Sequence, residues 1–313
     1  MPTLQRSITG ETTSLGNPQS RRLTTAVGIG LVNLATITWA TNMILGRYLR
    51  NDIGPLTLAA SRFLIASLLF AILLRRRPPE DRHLGPDRWL LLGMAFTGVA
   101  LFSPLLYLGL RFTTAVNASL ISAVGPLITG VMAVVLIGES MSRRQLGGAV
   151  AGLVGVAILI SGASLTLWRT MELNVGDLMT LAAVTLWALY SVLGQRVMRH
   201  RSALSATAFP VFLSLPFLVL AAVWEMQTLP MNLGPQLLAF VLYIAIAPTV
   251  VGFVSWNEGV RRLGPSGAMI FMNTLPLYGA LFGYLLLNEP IGPAHVVAGA
   301  LISGGGVWAA RDR

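Results

Sequence analysis

Long apolar runs separated by short polar stretches dominate the chain. Ten runs can be read, at about 24–45, 57–74, 89–108, 116–137, 146–168, 176–197, 205–224, 236–256, 266–287 and 291–310. Each is close to the ~20 residues that a helix needs to cross ~30 Å of hydrocarbon. None shows the two-residue alternation of a barrel strand, and only helices and closed barrels satisfy every backbone amide within lipid. The pattern predicts an all-α integral membrane protein of ten transmembrane helices. Residues 1–23 are polar, rich in Ser, Thr and Arg, and read as a disordered cytoplasmic tail rather than a signal peptide.

Composition agrees. Hydrophobic residues fill 54% of the 313 positions and charged residues 11%, with a mean hydropathy of +0.71. Soluble domains carry about 25% charge, so a water-soluble globule of this length would lack the polar surface to cover itself. Soluble enzymes and nucleic-acid modules are thereby excluded. The net charge of +10 arises from 22 basic residues, all of them Arg. Loops on the side of the N-terminus hold 17 of these, among them Arg75, Arg76, Arg77, Arg143, Arg144, Arg261 and Arg262, whereas the other side holds four, Arg47, Arg50, Arg111 and Arg169. By the positive-inside bias both termini are expected in the cytoplasm. Cysteine is absent, and His83, His200 and His295 are too dispersed for an HExxH pairing, so no metal or cofactor site is expected.

The chain also repeats itself. WATNMILGRYLR from Trp39 aligns with WALYSVLGQRVMR from Trp187 at a shift of 148. The stretch from Gly109 through Pro126 to Glu139 aligns with that from Gly259 through Pro276 to Glu289 at a shift of 150. Two five-helix halves result, 24–168 and 176–310. An odd number of helices per half forces opposite topologies in the membrane. Inverted repeats of this kind mark secondary transporters with a site near the midplane.

The same residues resemble the EamA-type branch of the drug/metabolite transporter superfamily, over about residues 24–310. The carriers of the resemblance are Trp39 and Asn42, then Arg62, Phe63 and Ala66, and above all the block YLGLRFTTAVNASLISAVGPLITGVMAVVLIGES from Tyr107. The chain is most similar to bacterial amino-acid exporters of the YddG type. The resemblance implies a bacterial cytoplasmic membrane protein with helices 1–4 and 6–9 around a central cavity, and helices 5 and 10 packed outside. Small residues support the last point, since Gly148 with Gly152, Ala151 with Gly155, Gly299 with Ser303 and Ala300 with Gly304 form small-xxx-small pairs. Internal packing of these two helices, and hence a monomer, is expected rather than a contact between chains.

Trp39, Asn42, Tyr107, Asn117, Ser122, Trp187, Tyr190, Asn257, Phe271 and Asn273 are candidates to line the cavity. Aromatic walls with a few amides and hydroxyls suit a small amphipathic or zwitterionic solute. The same residue types also populate interfacial belts and join helices. Arg62 lies inside the second run, where it either receives a substrate carboxylate or snorkels to the interface. Pro126 and Pro276 are read near mid-helix as kinks or hinges. Glu139 and Glu289 are expected to cap loops, and Glu258 to pair with Arg261 and Arg262.

The function expected is export of small metabolites, amino acids first, by alternating access. The alternatives are a proton-coupled exporter of drugs or other metabolites, and a membrane-embedded transferase. The sequence shows no DDxxD, HExxH or GxxxxGK[ST] for the latter. No acidic residue occupies a clear mid-helix position, which points to uncoupled flux.

Overall fold

The computed structural model describes residues 18–122, 124–138, 142–160, 174–229, 231, 233–263, 268 and 270–310. Every regular element among them is helical. Seven stretches are long and apolar enough to cross a membrane: Leu23–Asn51, Pro55–Arg75, Pro79–Phe112, Ala115–Leu136, Val175–Val197, Ala203–Glu225 and Pro235–Leu263. This is a multi-pass membrane protein.

The first run forms α1 (Pro18–Tyr48), which begins upstream of the boundary at 24 read from the sequence. The second forms α2 (Pro55–Arg75). The third is longer than its apolar core and divides into α3 (Arg88–Met94), a seven-residue π-helical turn (Ala95–Leu101) and α4 (Phe102–Phe112). The fourth is discontinuous, with α5 (Ala115–Ser122) followed by α6 (Gly125–Ile137). Then come α7 (Arg143–Ile160), α8 (Val175–Val197) and α9 (Ala203–Glu225). The eighth run repeats the pattern of the third, with α10 (Pro235–Ile244), a π-helical turn (Ala245–Val251) and α11 (Gly252–Leu263). The ninth repeats the fourth, with a 3-10 turn (Ile270–Thr274) leading into α12 (Leu275–Leu287), and α13 (Pro293–Ala310) closes the chain.

The wide turns lie 150 positions apart, and each has a local cause. Pro248 lacks the amide hydrogen that would close an ordinary turn. In the first turn the corresponding residue is Gly98, whose missing Cβ makes room for the Tyr190 ring. The breaks in the fourth and ninth runs correct the reading of the two prolines. Pro126 and Pro276 fall in the first turns of α6 and α12, not at mid-helix. An N–H missing there had no intrahelical partner to lose, so neither proline removes a hydrogen bond.

Helix ends are satisfied by acids from distant runs. Glu225, buried in the last turn of α9, accepts from the amides of Leu56 (3.1 Å) and Thr57 (2.7 Å) and from the Thr57 hydroxyl (2.8 Å) at the start of α2. Asp81 accepts from the Ser202 amide at 3.1 Å, and Arg201 pairs with Asp87 at 3.0 Å, fastening the start of α9 to the 79–87 loop. Glu289 accepts from the amides of Ala115 and Val116, both at 3.1 Å, and so caps α5 as expected. Glu139 lies outside the described residues. Glu258 pairs with Arg261 and Arg262 at 2.6 and 2.7 Å.

α7 packs along α13, and of the small residues singled out in the sequence Gly148, Ala151 and Gly155 stand at the contact. A Cβ on Gly155 would stand 3.0 Å from the Ala298 carbonyl oxygen, and one on Gly305 2.7 Å from that of Gly148. Gly152 and Gly304 face open space among the described atoms, and Gly299 meets only Leu120, at 3.9 Å. Small residues spaced by four on two faces cannot say which face is the seam; the neighbouring backbone does. Replacing Gly155 or Gly305 with Leu is therefore expected to cost at least 1–3 kcal/mol by overpacking, on the order of published core insertions. Gly304→Leu should stay within about 0.5 kcal/mol. Thermal unfolding of the detergent-solubilised chain checks both.

Candidate functional site

A small cavity lies where α1, α2, α4, α8 and α11 meet the two discontinuous runs. Trp39, Asn42, Arg62, Ser122 and Trp187 line it, together with Met43, Phe102, Leu106, Val184, Phe253, Met272 and Leu275. Five of the candidates read from the sequence are thus gathered around one space.

Arg62 is its electrostatic centre. Its helix turns Ala59, Phe63 and Ala66 inward, all fully buried, and Arg62 is itself only 2% exposed. No path for snorkelling remains. Its Nη1 donates to Asn42 Oδ1 (3.1 Å) and to the Tyr107 hydroxyl (2.7 Å), and its Nη2 donates to Ser103 Oγ (2.7 Å). The Tyr107 hydroxyl donates in turn to Asn42 Oδ1 at 2.6 Å. Ser103 and Tyr107 stand one turn apart on α4, so both face α2 just after the wide turn has re-aimed the helix. Gly46 on α1 leaves space for the Tyr107 ring, since a Cβ there would meet it at 2.9 Å. The guanidinium also sits 4.3 Å from the Phe63 ring centroid, a cation–π contact. Among the described residues no carboxylate pairs with Arg62.

The opposite wall is aromatic. Trp39 and Trp187 meet edge to face with centroids 5.2 Å apart. Trp187 also contacts Phe102 at 5.0 Å and Phe253 at 5.2 Å, and stacks on Tyr190 at 4.7 Å. Trp39 Nε1 donates to the Pro248 carbonyl at 3.0 Å. Trp187 Nε1 and Arg62 Nε are buried and have no hydrogen-bond partner among the described residues.

The remaining candidates stand elsewhere. Tyr107 and Tyr190 form a second layer behind Arg62 and Trp187. Asn257 donates to the Tyr190 hydroxyl (3.3 Å) and to Thr207 Oγ1 (2.6 Å), outside the cavity. Asn117 is not among the residues lining the cavity and stands near Asp177, the buried carboxylate at the start of α8 that accepts from the Thr113 hydroxyl. Phe271 packs against the core without lining the space. The side chain of Asn273 lies outside the described residues. Among the described residues no three His, Asp or Glu converge as a metal would require.

Sequence reasoning missed Ser103, Phe102 and Phe253. Ser103 had a signal, being one helical turn before Tyr107; the two phenylalanines sit in unbroken apolar runs and had none. The Tyr107→Phe variant is expected to lose about 1–3 kcal/mol, because it strips a buried guanidinium of one acceptor and Asn42 of one donor. Thermal unfolding of the purified chain measures it.

Comparison with known proteins agrees with this architecture. The model of the EamA-like transporter family matches the chain twice, over residues 26–161 and 174–310. An uncharacterized transporter, YyaM, of Bacillus subtilis is 25% identical, covering 88% of this chain and 93% of that protein. A probable terminal-alkyne amino-acid exporter of Streptantibioticus cattleyicolor is 26% identical over 86% of this chain and 88% of its own length. A probable amino-acid metabolite efflux pump of Salmonella typhimurium is 24% identical, over 88% and 92%. One crystal structure shares the fold with a TM-score of 0.62 at 22% identity, covering 94% of this chain and 97% of the other. With both halves matched and the same helical scaffold recovered, the chain belongs to the EamA-like transporter family of membrane transporters.

Proposed function

We propose that this transporter exports small carboxylate-bearing metabolites, amino acids and their close relatives, across a bacterial cytoplasmic membrane by alternating access. The observation that carries this reading is Arg62, a buried cation at the central cavity without a counter-ion among the described residues. A charge so placed is costly unless an anion joins it. Leu275, the first residue of α12, borders the cavity, so the positive end of that helix dipole faces it. Half-helix N-termini at a central site are a usual way for transporters to meet an anionic group. The names of two relatives, a probable terminal-alkyne amino-acid exporter and a probable amino-acid metabolite efflux pump, support the substrate class.

In this reading ten helices cross the membrane as two inverted five-helix repeats, 24–168 and 176–310, in a monomer with both termini cytoplasmic. Corresponding features 148–150 positions apart support it: the wide turns, the breaks ahead of Pro126 and Pro276, and the left-handed caps at Gly138 (φ +69°) and Asn288 (φ +53°). Close helix contacts pair off in the same way. Gly109 packs on Gly176 and Thr180, and Gly259 on Gly28 and Val32. The breaks are the hinges, and the halves rock about the cavity. The periplasmic side is drawn together by Arg47, which donates to the carbonyls of Leu110 (3.0 Å) and Arg111 (3.1 Å) and lies 3.9 Å from Glu289. Tags at both ends should be reachable only from the cytoplasm; a periplasmic C-terminus would break the five-plus-five arrangement.

Flux is downhill and uncoupled. A coupled proton needs an ionisable acceptor where access alternates. The buried acids Asp177, Glu225 and Glu289 are instead taken up at helix starts. In proteoliposomes with a pH gradient and equal substrate on both sides, no net accumulation is expected. Accumulation that a protonophore abolishes would show coupling.

A further inference from the structure

The cavity asks for acceptors and offers almost none. Three of the five guanidinium donors of Arg62 are taken by Asn42, Tyr107 and Ser103, leaving Nε–H and one hydrogen on Nη2. Two guanidinium N–H groups match the two oxygens of a carboxylate. Trp187 Nε1 is a further unanswered donor. Its repeat counterpart, Trp39 Nε1, is already bonded to the Pro248 carbonyl, so the duplicated position has been left open on one side only.

An ammonium group, by contrast, finds no carboxylate among the described lining residues, only aromatic faces. Asn42 Oδ1 already accepts from both Arg62 and Tyr107. The Ser122 hydroxyl is turned to the Ala118 carbonyl at 2.8 Å. No Asp or Glu lines the cavity among the described residues, and the neighbouring positions outside that set, 123, 264–267 and 269, carry no acid in the sequence. An ammonium group brought in beside Arg62 would be stripped of water without a carboxylate to replace it. The rest of the lining is apolar and aromatic, with Phe102, Phe253 and the two indoles shaped for a bulky uncharged body.

We infer that the central site recognises monocarboxylate anions carrying a large apolar group and does not read an α-amino group, so that the deaminated acid is a better ligand than the amino acid of the same shape. This rests on Arg62 as the carboxylate anchor, the reading proposed above. Arg62 fixes the head, the Trp187 N–H contacts the same carboxylate or an adjacent keto or hydroxyl oxygen, and the aromatic wall takes the tail.

Calorimetric titration of the purified full-length chain in nanodiscs tests this with matched sets: 3-phenylpropionate, L-phenylalanine and 2-phenylethylamine, and 4-methylpentanoate with L-leucine. Each acid is expected to bind at least about tenfold more tightly than its amino acid, the scale of one unpaired buried charge contact, and the amine is expected not to bind. Arg62→Gln should abolish binding of the acids. Trp187→Phe, which keeps the ring stack but removes the N–H, should weaken 3-phenylpropionate about three- to tenfold, the range of one hydrogen bond, with the unfolding midpoint nearly unchanged. That second variant keeps the test decisive if Arg62→Gln fails to fold. Amino acids binding more tightly than their deaminated partners, in an Arg62-dependent way, would overturn the inference while leaving the carboxylate anchor standing. Binding of the amine, or of no acid at all, would overturn both.

Discussion

A single guanidinium held deep in an apolar bundle organises the centre of this protein. In a medium where an isolated charge is expensive, Arg62 persists because Asn42, Tyr107 and Ser103 surround it with oxygen atoms and Phe63 with a π face. These partners come from three separate helices. The arginine therefore fixes how α1, α2 and α4 are rotated against one another, and the wide turn before α4 exists in a place that lets Ser103 and Tyr107 share one face. What the network does not supply is a negative charge. The site is hydrogen-bonded yet electrically unfinished.

Around that centre the two halves reuse one set of contacts and then diverge. Asn42 with Tyr107, and Tyr190 with Asn257, occupy equivalent places with the residue types exchanged. The position equivalent to Arg62 is Pro210, inside α9, where no side chain can carry charge. Trp39 and Trp187 share the aromatic wall, but only the first has its indole N–H bonded to the protein. These departures from the repeat fall on the cavity or in the layer behind it, whereas glycine contacts away from it are kept in kind. Scaffold and binding surface have separated within one duplicated sequence.

Much of this was legible in the residues. Run lengths pointed to an all-helical membrane protein, the shift of about 150 to a duplication that the family model also matches twice, and five polar or indole residues inside apolar runs to positions that border one cavity. The acids were read at segment ends and in loops, and those among the described residues stand at or near helix ends. What escaped the reading has a common physical origin: α2 is apolar on every side, so periodicity cannot tell whether Arg62 points to lipid or inward. A proline marks a possible break, but whether it interrupts a helix or starts one depends on hydrogen bonds made several residues earlier. Asn117 looked like a cavity amide because Asp177, which it stands near, lies 60 positions away in the sequence. The seam between α7 and α13 depended on which glycines faced a neighbour's carbonyl, a matter of azimuth that composition does not record.

The lone arginine also says something about descent. Two identical half-length chains meeting face to face would each bring an arginine to the shared cavity, and two cations a few ångströms apart in a low-dielectric space repel far more than in water. A symmetric ancestor could hold both or neither, but never one. Divergence between the two repeats lifts that restriction: Pro210 stands at the position that corresponds to Arg62, so one repeat brings the charge and the other brings none.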